Sequence, residues 1–181
     1  MKYHEIVKLK DGRDCVLRSA SSADAAAVLD CFIRTHGETD FLLTYPLEMT
    51  MTEEQEGEYL RTKEESAGAV ELLALVDGKT VGTAGIDAVG TKDKLKHRAE
   101  LGISVEKAFW GLGIGRALLR GCVACAKEAG YAQLELSVVG ENERALALYE
   151  SEGFVEYGRN PRGFRTRDGR WQELVLMRME L

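Results

Sequence analysis

Residues 109–119 read FWGLGIGRALL: three glycines at every second position, an apolar run with helical spacing behind them, and the short β-branched stretch AELGISV just ahead at 99–105. No other stretch restricts the fold as strongly. A strand that enters a helix through such a loop uses glycine where backbone angles are unusual or where a ligand approaches the main chain. The opening turn of the helix then presents N–H groups that lack an intrahelical acceptor and carry a partial positive charge. Phosphate is the usual guest of such a place; a flexible surface turn is the ordinary alternative.

Two familiar phosphate loops do not fit. A dinucleotide fingerprint needs G-x-G-x-x-G directly after its strand. Here Leu118 or Arg116 stands where the third glycine belongs, EKAFW separates Val105 from Gly111, and Glu135 lies in mid-strand rather than at a strand end. A Walker-type loop fails because Arg116-Ala117 follows Gly115, with no Gly-Lys-Ser/Thr. What remains is a loop of the form x-x-x-G-x-G entering a helix, whose backbone donors from about Leu112 to Arg116 suit a pyrophosphate.

The rest of the chain supplies a β-rich first half and a β-α-β-α-β second half. HEIVKLKDGRDCVLRS predicts two strands about Asp11-Gly12, and ADAAAVLDCFIRTH a helix ending near Gly37, with Ser21 or Ser22 as cap. After the loop GETDFLLTYPLEM, Thr52 opens a charged helix to about Glu65. VELLALVDGKTVGTAGIDAV predicts a hairpin about Asp77-Gly78, and TKDKLKHR leads to the strand before the glycine loop. The helix behind the loop runs to about Ala129. A strand at AQLELSVV, a helix across ENERALALYESEG and strands near FVEYGR and QELVLMRMEL complete the order. This order predicts a mixed sheet with helices on both faces.

Downstream of the glycine loop, SVVGENERALALYESEGF places Asn142, Ala145, Leu148, Tyr149, Gly153 and Phe154 along a helix and its exit. Together the two segments resemble the GCN5-related N-acetyltransferase (GNAT) superfamily, whose acetyl-CoA motif is followed by an N-x-x-A-x-x-L-Y-x-x-x-G-F helix. The resemblance spans residues 98–154. It implies an α/β (α+β) fold in a single domain over residues 1–181, with a mixed, mostly antiparallel sheet. It implies acetyl-CoA as acetyl donor, coenzyme A as product, no metal, and transfer to an amine by direct attack in a ternary complex. Where the family often has glutamine or arginine this chain has Trp110, which bears on side-chain contacts to phosphate and not on the backbone cradle.

The residues that carry the resemblance have roles only if the family's chemistry applies. Gly111, Leu112, Gly113, Ile114, Gly115 and Arg116 would hold the pyrophosphate, Asn142 the pantetheine arm, and the N–H of Ile103 or Val105 the thioester carbonyl. Asn142 is also suited to cap its helix. An ammonium with a pKa of about 10.4 is neutral in only about one molecule in a thousand at pH 7, so a base is needed. Glu100 stands where many family members place that carboxylate; its ordinary role is a solvent-facing strand residue or a partner for Arg98. Tyr149, protonated at neutral pH, would be the general acid for the departing thiolate; its ordinary role is core packing beside Ala145 and Leu146.

Composition restricts partners and compartment. A net charge of −6 does not attract nucleic acid, and no apolar run reaches the roughly 20 residues of a membrane span. The N-terminus lacks the apolar core of a secretion signal, so the expected location is cytoplasmic. Cys15, Cys31, Cys122 and Cys125 fit reduced core positions. The expected acceptor is a primary amine of a small molecule. A protein N-terminal or lysine acetyltransferase is the alternative, and a non-catalytic acetyl-CoA-binding module on the same fold is another. The segment GRNPRGFRTRDGR gathers Arg159, Arg162, Arg165, Arg167 and Arg170 in an otherwise acidic chain. An ordinary solvated hairpin, coenzyme A phosphates, an acidic acceptor or a partner subunit in a homodimer are its candidate roles.

Overall fold

The computed structural model describes residues 1–181 as eight strands and four helices. In chain order they are β1 (His4–Lys8), β2 (Asp14–Ser19), α1 (Ala25–Gly37), α2 (Glu53–Glu65), β3 (Val70–Val76), β4 (Lys79–Ala88), β5 (Arg98–Val105), α3 (Ile114–Glu128), β6 (Gln133–Val139), α4 (Glu143–Ser151), β7 (Val155–Arg165) and β8 (Trp171–Glu180). The strands form one sheet in the order β1-β2-β3-β4-β5-β6-β8-β7. Every pairing is antiparallel except β5 with β6. The parallel pair is the one joined by a helical crossover, α3, as such a pair requires.

Alternation along the strands sorts the two faces. On β3, Leu72 and Ala74 join the large core under α3, whereas Leu73 joins Ala20, Ala25, Val28 and Leu60 under α1 and α2. The tight turn between β3 and β4 places Asp77 at φ 51° and Gly78 at φ 78°, the pair of left-handed residues that a two-residue hairpin favours. Thr52 caps α2 by accepting from the Gln55 N–H at 3.2 Å. Ser21 is the N-cap of a 3₁₀ turn, Ser22–Asp24, that runs directly into α1; the Asp24 carboxylate accepts from the Ser21 N–H and is held by Arg18.

Two expectations change. Strand β7 runs on to Arg165, past the end predicted near Arg159, because Pro161 lies on an edge strand within an irregular stretch between Asn160 and Phe164. A proline there forfeits no ladder bond. Arg98 pairs with Glu135, through both carboxylate oxygens, and not with Glu100. That pairing joins β5 to β6 at the last rungs before they separate.

Candidate active site

Strands β5 and β6 pair only at Arg98↔Gln133, Ala99↔Leu134 and Glu100↔Glu135, although β5 continues to Val105 and β6 to Val139. Beyond Glu100 the two strands splay. On its other side β5 stays zipped to β4 up to Gly82↔Val105, and the Glu106 N–H donates to Val81. Backbone donors alternate sides along a strand. The N–H groups of Ile103 and Val105 therefore face away from β4, into the gap.

The glycine loop stands at the end of that gap. Gly111 and Gly113 have φ of 80° and 106°, in the region that favours glycine, and Gly113 is the N-cap of α3. The first backbone bond of the new helix is Ala117 N–H to Gly113 C=O. The N–H groups of residues 111–116 donate to no protein acceptor, which makes a concave row of six free donors at a helix N-terminus. A Cβ placed on Gly113 meets no atom within 4 Å, so the space in front of the cap is open. Leu112 is fixed from behind, its carbonyl accepting from the Lys10 N–H at 3.2 Å.

A cavity of about 440 Å³ extends from this loop to the first turns of α4. Ile103, Val105, Trp110, Gly111, Gly113, Ile114, Gly115, Arg116, Asn142 and Tyr149 line it together with Lys10 and Arg144. The donor set suits a pyrophosphate ester carrying an amide-containing arm: free N–H groups and basic side chains at one end, splayed strand donors at the other. Leu112 alone among the proposed binding residues does not line the cavity. Ile114 is in the core, so only its backbone serves the cradle. Arg116 leans on Glu152 and Ser151 of the neighbouring chain segment. Trp110 is tied down by an indole N–H bond to the Val105 carbonyl at 2.7 Å, and the Arg144 guanidinium stacks on its ring at 3.8 Å. That stack brings a cation to the place where Trp110 supplies none.

Tyr149 is buried against Phe154 on the α3 side of the sheet, and its hydroxyl makes no hydrogen bond to protein. Burial pushes it up to about 12, with a smaller push from Cys122. It is a proton donor throughout the neutral range. Asn142 both caps α4, accepting from the Ala145 N–H at 3.3 Å, and lines the cavity, as its two roles allow.

A second cavity of about 610 Å³ opens on the α1–α2 side and meets the first at Phe41, Leu42, Ile103, Ser104, Asn142 and Tyr149. Glu100 is exposed in it, four residues up β5 from Ser104. Its wall also holds a cluster that periodicity gives no sign of: Lys63 of α2, buried, with its ammonium at 3.1 Å from Glu71 and 2.8 Å from Asp87. Burial opposes the charge on Lys63, and the two carboxylates outweigh it, holding the lysine above its usual value. Asp87 is the direct cross-strand partner of Glu100. His36 lines the same cavity; its Nδ1 donates to the Phe32 carbonyl at 2.9 Å, which leaves Nε2 as an acceptor, and burial holds its pKa below the ordinary value.

The acetyltransferase (GNAT) family pattern matches residues 35–154. An L-amino acid N-acyltransferase of Escherichia coli (strain K12) is 29% identical over 115 residues, 64% of this chain and 66% of that protein. An N-alpha-acetyltransferase of Mycobacterium tuberculosis is 39% identical over 89 residues, 49% of this chain and 54% of that one. The chain thus spans about half to two thirds of the length of these curated relatives. Among solved structures, a GNAT-family acetyltransferase from Streptococcus pneumoniae superposes with a TM-score of 0.89 at 29% identity, over 92% of this chain and 99% of that one. A phosphinothricin acetyltransferase from Sinorhizobium meliloti in complex with acetyl-CoA superposes at 0.79 and 23% identity, over 97% and 89% of the two chains, which shows the shared fold.

Proposed function

The chain belongs to the acetyltransferase (GNAT) family, and on that premise we propose that it transfers acetyl from acetyl-CoA to a primary amine, within a ternary complex and without an acyl-enzyme. The observation that carries this is the junction of the two cavities: the donor side ends and the acceptor side begins at Ile103, Ser104, Asn142 and Tyr149, with Phe41 and Leu42 also shared. A thioester held by the loop and the splayed strand has its carbonyl within the field of the free β5 donors, and an amine enters from the opposite side. Cys122, the cysteine nearest Tyr149 in electrostatic influence, is fully buried and held well above the ordinary thiol value by desolvation. A buried thiol of that kind is a poor nucleophile.

The proton balance assigns the side chains. One proton leaves the ammonium before attack, through Glu100 to solvent. As the carbon–nitrogen bond forms and the carbon–sulfur bond breaks, the sulfur takes a proton from Tyr149 and the nitrogen gives up its second, restoring the phenol. The cavity wall of Glu71, Asp87 and Glu100 against Lys63 favours a cation over an anion on arrival.

The acceptor is a small-molecule amine on the size of the second cavity. A polypeptide amine is a second reading, favoured by one observation: Phe164 and Leu174 of the β7–β8 hairpin, whose β7 strand is largely exposed, line that cavity. Release of free thiol from acetyl-CoA, measured with a panel of small amines and short peptides and matched to acetylated product by mass spectrometry, tests transfer directly. Thiol release that no amine accelerates would leave only a binding module.

Glu100→Gln is expected to lower the rate most near neutral pH and to recover partly at alkaline pH, where free amine is abundant. The measurement is kcat/KM against pH for one amine. A loss uniform across pH would make Glu100 structural; an unchanged profile would move the base to another residue, such as His36 of the same cavity wall, or to bulk water.

A further inference from the structure

The β7–β8 hairpin carries Arg159, Arg162, Arg165, Arg167 and Arg170 in a chain of net charge −6. Two of the five are neutralised: Arg159 by Glu156 and Glu173, each at 2.7 Å, and Arg170 by Asp168 at 2.8 Å. The other three form no ion pair and lie against aromatic faces. Arg162 and Arg165 sit over Trp171 at 5.4 and 5.3 Å from the ring centroid, and Arg167 sits over Tyr45 at 4.2 Å. Stacking orders a guanidinium and leaves its N–H edge free, so these donors are held ready for an anion. Half-exposed Trp171 and exposed Leu43 and Leu47 add apolar surface to the same rim.

This platform continues out of the acceptor cavity. Phe164, the residue before Arg165, and Leu43, two before Tyr45, both line the cavity wall. The two surfaces differ in sign: carboxylates predominate inside, and free guanidiniums stand outside. A ligand that complements both has an ammonium at one end and carboxylates along the chain that follows. The strand register sets its length. Leu174 lines the cavity, and the Arg165↔Trp171 pair stands three residues further along β8, about 10 Å at 3.3 Å per residue, with Arg167 beyond it. An acceptor that reaches from the Tyr149 junction to these arginines spans on the order of 10–20 Å, or roughly three to six extended residues.

We propose that Arg162, Arg165 and Arg167, on their aromatic supports, dock an acidic segment of a polypeptide whose N-terminal amine enters the acceptor cavity. This rests on the second acceptor reading above and gives it a sequence preference: Asp or Glu within the first several residues after the acetylated terminus. A small free amine has nothing that reaches the rim.

Direct binding tests this without turnover. Two hexapeptides with a free N-terminal alanine and a fluorophore at the C-terminus, one carrying Asp and Glu in its last four positions and the other Asn and Gln, are titrated with the protein in the presence of coenzyme A. Anisotropy is expected to show the acidic peptide binding tighter by about tenfold or more, the range that a few charge-assisted contacts supply. The preference should vanish in the triple variant Arg162→Gln, Arg165→Gln, Arg167→Gln and in about 1 M salt, where screening reaches about 3 Å. Unchanged acetyl-CoA affinity of the triple variant, by calorimetry, shows that it is folded. Equal affinity of the two peptides for the parent, or an acidic preference that survives the triple variant, overturns the proposal. Acetylation of the same peptides is read separately: docking without acetyl transfer supports the platform and counts against the transferase, whereas transfer to small neutral amines without docking does the reverse.

Discussion

Tyr149→Phe will lower kcat by about 10²–10⁴ while leaving acetyl-CoA affinity and thermal stability nearly unchanged. The ring stays against Phe154, at 5.8 Å between centroids, and fills the same place in the core, so packing is preserved. The hydroxyl is the only group lost. It has no hydrogen bond in the protein to forfeit, so its removal leaves no partner unsatisfied. Because burial pushes the phenol up to about 12, the parent should show no loss of activity from its ionisation up to about pH 10. The deficit of the variant should shrink with a thioester donor whose thiol is more acidic, since that leaving group needs less help. A variant that unfolds at markedly lower temperature with kcat per folded molecule preserved would return Tyr149 to the core and leave the acid unassigned.

The second large effect is expected on binding. Gly113→Val should weaken acetyl-CoA by about a hundredfold or more, as read by calorimetry. At φ 106° a β-branched residue is strained, at a cost on the order of 1–3 kcal/mol, and relaxing that strain turns the cap and its free donors away from their common centre. The protein itself does not exclude the new side chain, because nothing lies within 4 Å of its Cβ; what it fills is the ligand's space. Gly115 is a different case. It is in the helix, with no unusual φ, and a Cβ there makes only ordinary contact with Leu148 at 3.5 Å. A methyl at Gly115 should therefore cost much less than a branched side chain at Gly113. Unaltered affinity in Gly113→Val would remove the loop from the donor site.

The parts of the site legible in the sequence are those encoded by local backbone demands. Gly111 and Gly113 announce a loop of left-handed angles, Asn142 announces a helix cap, and the switch from period two to helical spacing places both on the right elements. The parts that were hidden depend on register between distant strands. Lys63 sits in a helix whose composition reads as solvated, EEQEGEYLRTKEE, and is buried only because the β3–β4 register brings Glu71 and Asp87 beneath it. The β4–β5 register makes Asp87 the neighbour of Glu100, and the end of the β5–β6 ladder at Glu100 marks where the gap opens. Arg98 has Glu100 as its nearest carboxylate along the strand, and only the β5–β6 ladder brings Glu135 beside it. The Arg144–Trp110 stack and the paired and unpaired arginines of the hairpin are likewise matters of side-chain placement that charge counting along the chain does not resolve.

The central claim is that the free N–H groups of the glycine loop and of the splayed strand together form the acetyl-CoA site. Backbone amide NMR of the uniformly ¹⁵N-labelled protein, titrated with acetyl-CoA, observes those groups themselves. The largest shifts are expected at residues 111–116 and at Ile103 and Val105, with smaller ones at Asn142 and little change along β1, β2 and the far end of β7. Saturable binding whose shifts cluster elsewhere and leave residues 111–116 unmoved, or no binding at millimolar acetyl-CoA, would contradict it.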